Sequence, residues 1–177
     1  MADSTAKATN RFASEVMDTI ASVDRLLATG PSGKVSFADL YAYAINPLYE
    51  PAKGLLDELD RDTNLQADFQ RLLRNTARYH LPEVAAASTG ILESREGKGC
   101  RIILKSSRAD PNHLYVIVEV TTDKTFEPEI LFVQFPDGRM RRAPLGISQN
   151  GRVQILLERD TEIAEGLLDI ATEVYVK

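Results

Sequence analysis

Cys100 is the only cysteine in the chain, and His80 and His113 are its only histidines. A thiol becomes a nucleophile when a base lies within hydrogen-bond reach and the surroundings favour the thiolate. Cys100 with His113 or His80 is therefore the one thiol–imidazole pair open to this sequence. Its setting argues against that use. Cys100 opens an apolar run, where a small buried sulfur is the ordinary role of a free cysteine. One cysteine forms no internal disulfide and no thiolate metal cage, and two separated histidines supply no ligand cluster, so no metal site is expected. His80 reads instead as the end of a helix, where an imidazole interacts favourably with the negative end of the helix dipole.

Two further groups resemble binding motifs and fail on spacing. Gly30-Pro31-Ser32-Gly33-Lys34 contains the Gly-Lys of a phosphate loop, but Ala28 stands where the first glycine belongs and Val35 where Ser or Thr belongs. It reads as a turn between helices. Asp57, Glu58, Asp60 and Asp62 lack the alternate-residue oxygens and the glycine of a calcium loop. They read as a solvated helix end. No cofactor is expected.

The remaining candidates are binding groups. Arg71, Arg74 and Arg78 follow one another at spacings of three and four, which puts them on one side of a helix. Arg139, Arg141 and Arg142 cluster after the Asp137-Gly138 turn. Arginine forks suit acidic protein surfaces and phosphates alike. Tyr41, Tyr43, Leu48 and Tyr49 crowd a short segment. Tyr41 and Tyr43 are two apart and cannot share a helix face, so one of them should face solvent or a partner.

The charge balance narrows the partner. The chain through Ser88 carries 9 basic and 12 acidic residues, and the rest carries 12 and 14. Neither portion has the basic excess of a generic nucleic-acid binder. No apolar run approaches a membrane span, and Met1–Asn10 does not read as a secretory signal. A cytoplasmic location is the simplest expectation. The absence of tryptophan argues against sugar stacking on a ligand-binding β module.

The elements that must position these residues follow from periodicity. Phe12, Val16, Ile20, Val23 and Leu27 make one stripe of an amphipathic helix over 9–28, stopped by Gly30 and Pro31. Ser36 and Asp39 begin a second helix that Asn46-Pro47 ends. Pro51 starts a third, to Leu59. Asp62 or Thr63 caps a fourth, running to His80. Pro82 ends it or begins a turn through Ala85–Ala87. From Ser88 onward the texture changes to short runs broken by turn residues. Strands are expected over 90–95, 100–106, 114–121, 129–135, 139–143, 151–158 and 172–176, with one helical turn over 161–168. Asp137-Gly138 and Asn150-Gly151 suit hairpins, so the sheet should be antiparallel. Leu114–Val120 and Ile130–Phe135 are apolar on both parities, as strands covered on both faces would be.

The sequence thus predicts an α+β fold. A bundle of about four helices (1–88) precedes an antiparallel sheet or small sandwich of about seven strands (89–177). The two regions either stand apart or pack as one unit. The function expected is a non-enzymatic protein-interaction module, such as an adaptor, regulatory or assembly subunit. It would bind another protein through the six arginines and three tyrosines named above. A small enzyme built on Cys100 with His113 or His80, or a ligand-binding β module, is the alternative.

Overall fold

The computed structural model describes residues 35–82 and 92–177. The helix expected over 9–28, the Gly30–Lys34 turn, the Ala85–Ala87 turn and the first residues of the 90–95 strand lie outside the described residues.

Three helices open the described chain: α1 (Phe37–Ile45), α2 (Lys53–Arg61) and α3 (Thr63–Thr76). Ser36 starts α1 as the capping pattern requires. Its Oγ accepts from the Asp39 N–H at 3.1 Å and donates to the Asp39 carboxylate at 2.6 Å. Asp62 ends α2 and begins α3, its carboxylate accepting from the N–H groups of Asn64 and Leu65. The strands are β1 (Tyr79–Leu81), β2 (Ser94–Gly97), β3 (Cys100–Ser106), β4 (His113–Val120), β5 (Ile130–Gln134), β6 (Met140–Pro144), β7 (Arg152–Glu158) and β8 (Glu173–Val176), with α4 (Glu162–Leu168) before the last. They form two antiparallel four-stranded sheets, ordered β1-β8-β5-β6 and β2-β3-β4-β7. The fold is α+β. The Asp137-Gly138 hairpin joins β5 to β6, with Gly138 at the positive φ of +89° that such a turn requires.

One expectation fails at the end of α3. The helix stops at Thr76 and does not reach His80. The Thr76 hydroxyl bonds back to Leu72 O at 2.8 Å, and Ala77 is extended. Tyr79 and Leu81 then alternate into the core while His80 points the other way, so 79–81 is a strand paired with Val174–Val176. His80 caps no helix. The strand precedes residue 88 in the chain, yet it pairs within the first sheet.

Packing follows from the two parities of β5. Leu131 and Val133 share a core with Val174 and Val176 of β8 and with Ile102, Val116 and Val118 of the second sheet. Ile130 and Phe132 face the other way, into a core with Leu55, Leu59, Phe69 and Leu73 of the helices. The order of layers is helices, first sheet, second sheet. Cover on both faces therefore holds for β5. It fails for β4, which lies in the outer layer: Ile117 is buried beside its cross-strand neighbour Ile103, but Tyr115 and Glu119 stay half-exposed. At one side the two sheets nearly touch. A Cβ on Gly97 would lie 2.8 Å from His80 O and 3.0 Å from the Leu81 side chain, so only glycine lets β2 approach β1 this closely.

Helix α4 adds Ala164 and Leu167 to the core between the sheets. Its last carbonyls have no partner within the helix. Arg95, fully buried on β2, supplies them. Its Nε donates to Leu167 O at 2.8 Å, Nη1 to Thr172 O at 2.9 Å, and Nη2 to Gly166 O, Asp169 O and Thr172 Oγ. Burial lowers its pKa to about 10, which leaves it charged at neutral pH, against the negative end of the helix.

Removing this guanidinium strands buried carbonyls. Arg95→Ala is expected to cost about 3–5 kcal/mol of stability. Arg95→Lys should recover little, because three separate nitrogens meet these acceptors. Urea unfolding of both variants checks this; a Lys variant as stable as the parent would refute the fork geometry.

Candidate interaction surface

Helix α1 divides its tyrosines by parity. Tyr43 points inward, is 4% exposed, and packs on Phe69 and Phe132 at centroid distances of 5.6 and 5.8 Å. Tyr41 points outward, is 42% exposed, and stacks on Phe37 at 6.0 Å. Tyr49 is half-buried, and its hydroxyl donates to Asp39 at 3.1 Å. Hydrogen bonds from Ser36 and then from Tyr49 hold the Asp39 carboxyl below its usual range.

The loop after α1 is tied down from the sheet. Arg142 Nη1 donates to Tyr43 O at 2.9 Å and Asn46 O at 3.0 Å, and Nη2 donates to Tyr49 O at 2.5 Å. Its guanidinium carbon lies 4.6 Å from the centroid of the Tyr43 ring, within cation–π range. Asn46 Oδ1 accepts from the Leu48 N–H at 3.0 Å, and Pro47 fixes its own φ. On this braced loop Leu48 is 87% exposed. Leu56, on the outer face of α2, is also exposed. The crowding of large side chains over 40–49 picked out Leu48 together with the tyrosines, but not that Leu48 is the most exposed of them. Its signal was an apolar residue beside a proline, inside a turn too short to bury it.

The other sequence-predicted residues are mostly engaged within the chain. Arg141 holds Asp60 of α2 with two nitrogens, at 2.8 and 3.0 Å, and also binds Glu162 of α4. Arg139 bonds Asp137 at 2.7 Å and Glu162 at 2.9 Å. Arg78 lies beyond α3, so it does not complete a helical face with Arg71 and Arg74; it pairs with Asp123 at 3.3 Å. Arg74 reaches the Tyr175 hydroxyl at 3.4 Å and Glu173 at 3.5 Å. Among the described residues Arg71 pairs with Asp68 on its own helix, and it is largely exposed. Within the acidic group, Asp62 caps α3 and Asp60 answers Arg141, so these two are not simply solvated.

The reactive candidates are kept apart. Cys100 lies opposite Val120 at one end of the β3–β4 pair, and His113 lies at the other end, about 23 Å away at the rise of a strand. His80 projects to the far face of the first sheet, its ring stacked on Tyr175 at 4.7 Å and its Nε2 2.9 Å from Glu173. Burial pushes the Cys100 thiol up to about 12. His113 Nδ1 stands 2.8 Å from Asp110, in a cleft of about 380 Å³ shared with Glu158, Arg159 and Asp160. This is an acid–base pair beside a small polar cleft. The nearby serines are occupied, Ser106 Oγ accepting from Arg159 and Ser107 Oγ from the Asp110 N–H. Among the described residues no group of three or more His, Cys, Asp or Glu is placed to hold a metal, and no helix is long and apolar enough to cross a membrane.

Comparison with known protein families, characterised proteins and solved structures found no match. The surface is accordingly read from its own geometry.

Two outcomes follow. In the native state Cys100 should react with an aromatic disulfide reagent at pH 8 far more slowly than in urea, since a pKa near 12 leaves roughly a thousandfold less thiolate; equal rates would place the thiol elsewhere. Glu162 titrates below the usual carboxylate range, chiefly through the hydrogen bond from Arg141. A carboxylate depressed in the folded state contributes stability above its ordinary pKa, and that contribution disappears as pH falls through the depressed value. Glu162→Gln should therefore lower the urea midpoint at pH 7 and flatten its decline below roughly pH 4.5. An unchanged acid slope would contradict the network.

Proposed function

We propose that this chain is a non-enzymatic protein-interaction module, acting as an adaptor, regulatory or assembly subunit in the cytoplasm. It docks a protein partner on the surface that carries Tyr41, Leu48 and Leu56. The observation that supports this reading is Leu48, an apolar side chain 87% exposed on a loop whose carbonyls are held by Arg142. An apolar anchor fixed before binding loses little conformational entropy on association, and binding energy concentrates in a few such residues. Arg71 supplies an exposed charge on the same layer, suited to the polar rim of an interface. Arg141 and Arg142 then serve the interface indirectly, by holding the helical layer on the sheet, while Arg139 is engaged by Asp137 and Glu162. The cleft at His113 and Asp110 favours the ligand-binding alternative, in which a small polar molecule is held there by the Asp110–His113 pair.

A photo-crosslinking residue at position 48 tests the main reading in extract from the source cell. A single specific adduct is expected, and Leu48→Asp should weaken capture of that partner by at least about tenfold while the unfolding free energy stays within roughly 0.5 kcal/mol of the parent. Capture that ignores Leu48→Asp would end the proposal.

A further inference from the structure

Two turns in this chain place a glycine directly after an asparagine or aspartate, and only one leaves that residue free to react. At Asp137-Gly138 the carboxylate is engaged, accepting from the Arg139 N–H at 3.0 Å and from Arg139 Nε at 2.7 Å. The bond from the Arg139 side chain holds it below the usual carboxylate range, so it stays ionised and is a poor electrophile. Asn150-Gly151 carries a neutral amide instead. Of the six asparagines, Asn150 alone precedes a glycine.

The turn at Asn150 has two central residues. Gln149 N–H donates to Arg152 O at 2.8 Å and Arg152 N–H to Gln149 O at 3.1 Å. Between them, φ is +54° at Asn150 and +73° at Gly151. Positive φ at both positions makes a type I′ turn. Packing demands the glycine as well, since a Cβ there would lie 3.2 Å from both Lys124 Cα and Val120 Cβ. The same missing side chain leaves the Gly151 nitrogen open to its neighbour. The peptide joining the two residues is unengaged. Among the described residues neither the Asn150 carbonyl nor the Gly151 N–H has a hydrogen-bond partner. Asn150 is exposed, and a cleft of about 360 Å³ lined by Glu119, Lys124 and Arg152 admits water beside it.

Joining the Gly151 nitrogen to Asn150 Cγ closes a five-membered ring, in which Cβ must eclipse that nitrogen. Eclipsing sets ψ of Asn150 to about −120° while φ stays positive, which is the type II′ geometry. Types I′ and II′ suit the same pair of strands, so flipping this one peptide leaves the Gln149–Arg152 bridge in place.

We propose that Asn150 is a site of spontaneous modification, converted through a cyclic imide with Gly151 to isoaspartate and aspartate. The Gly151 nitrogen gives its proton to solvent base and attacks Cγ. A C–N bond forms, and the side-chain nitrogen takes up a proton and leaves as ammonia. Water then opens the imide. Attack at the side-chain carbonyl gives aspartate. Attack at the main-chain carbonyl gives isoaspartate, whose chain runs through Cβ and Cγ and whose α-carboxylate is free. Isoaspartate lengthens the backbone by one carbon where Gly151 is pinned by Val120 N–H at 2.8 Å and packed on Lys124. The start of the β4–β7 ladder loosens, and the new carboxylate stands beside the cleft of Lys124 and Arg152. The site lies in the outer sheet, away from the helical layer that carries Leu48, and is independent of that surface.

Mass spectrometry of the full chain, aged in heavy-oxygen water and digested afterwards in ordinary water, tests this. At about pH 8 the peptide carrying Asn150 should gain about 3 Da, one solvent oxygen replacing the amide nitrogen, and should separate into isoaspartyl and aspartyl forms. Asn150→Gln, checked for an unchanged unfolding midpoint, should abolish the gain, because its longer side chain closes a less favourable ring. The native rate should lie within about threefold of the rate in urea, since no opening of the fold has to come first. Aspartate without isoaspartate would overturn the proposal, as would a native rate further below that in urea or an equal gain at any other asparagine.

Discussion

Ile130, Leu131, Phe132 and Val133 follow one another on β5, and none of them touches solvent. Successive strand residues face opposite ways, so a run of this kind needs apolar cover on both sides. That requirement makes the first sheet the middle layer. It also explains why the helices and the second sheet, far apart in the chain, must come to either face of one strand. Tyr175 of β8 serves the helical side and Val174 and Val176 the other, repeating the constraint on a neighbouring strand. Each face of the middle layer buries side chains worth about 1.5–3 kcal/mol apiece when fully removed from water.

Arginine fastens the layers to one another. Arg95 crosses from β2 to the end of α4, Arg141 joins β6 to α2 and α4, and Arg142 joins β6 to the loop after α1. A fork of donors suits this task better than an ammonium, since it meets several acceptors in fixed directions. Two of the three arginines act largely on main-chain carbonyls. They satisfy backbone groups that helix ends and turns leave open, and so they position loops as well as hold charge.

Legibility in the sequence followed the range of the interaction. Caps at Ser36 and Asp62, the Asp137-Gly138 hairpin and the double-faced β5 are set by residues a few places apart, and local pattern revealed them. β1 was missed because three residues carry too little period to separate strand from helix, and its pairing with β8 spans almost a hundred residues. The same distance hid the uses of Arg141 and Arg142. Their clustering pointed to binding, while their acceptors, Asp60 and Tyr43 O, lay some eighty to a hundred residues away. Arg95 gave no local sign beyond a charge on the buried parity of a strand. Of the candidate site, the crowding of tyrosines was visible. Which tyrosine faces out, and that Leu48 stands on a braced loop, depended on tertiary contacts.

The seam at Gly97 also decides which strand edges stay closed. Where β2 closes on β1, the sandwich presents no second ladder for a strand to join. Lateral growth of the β-structure is therefore shut on that side. A side chain at position 97 would part that seam and open a pair of strand edges that the native fold keeps closed.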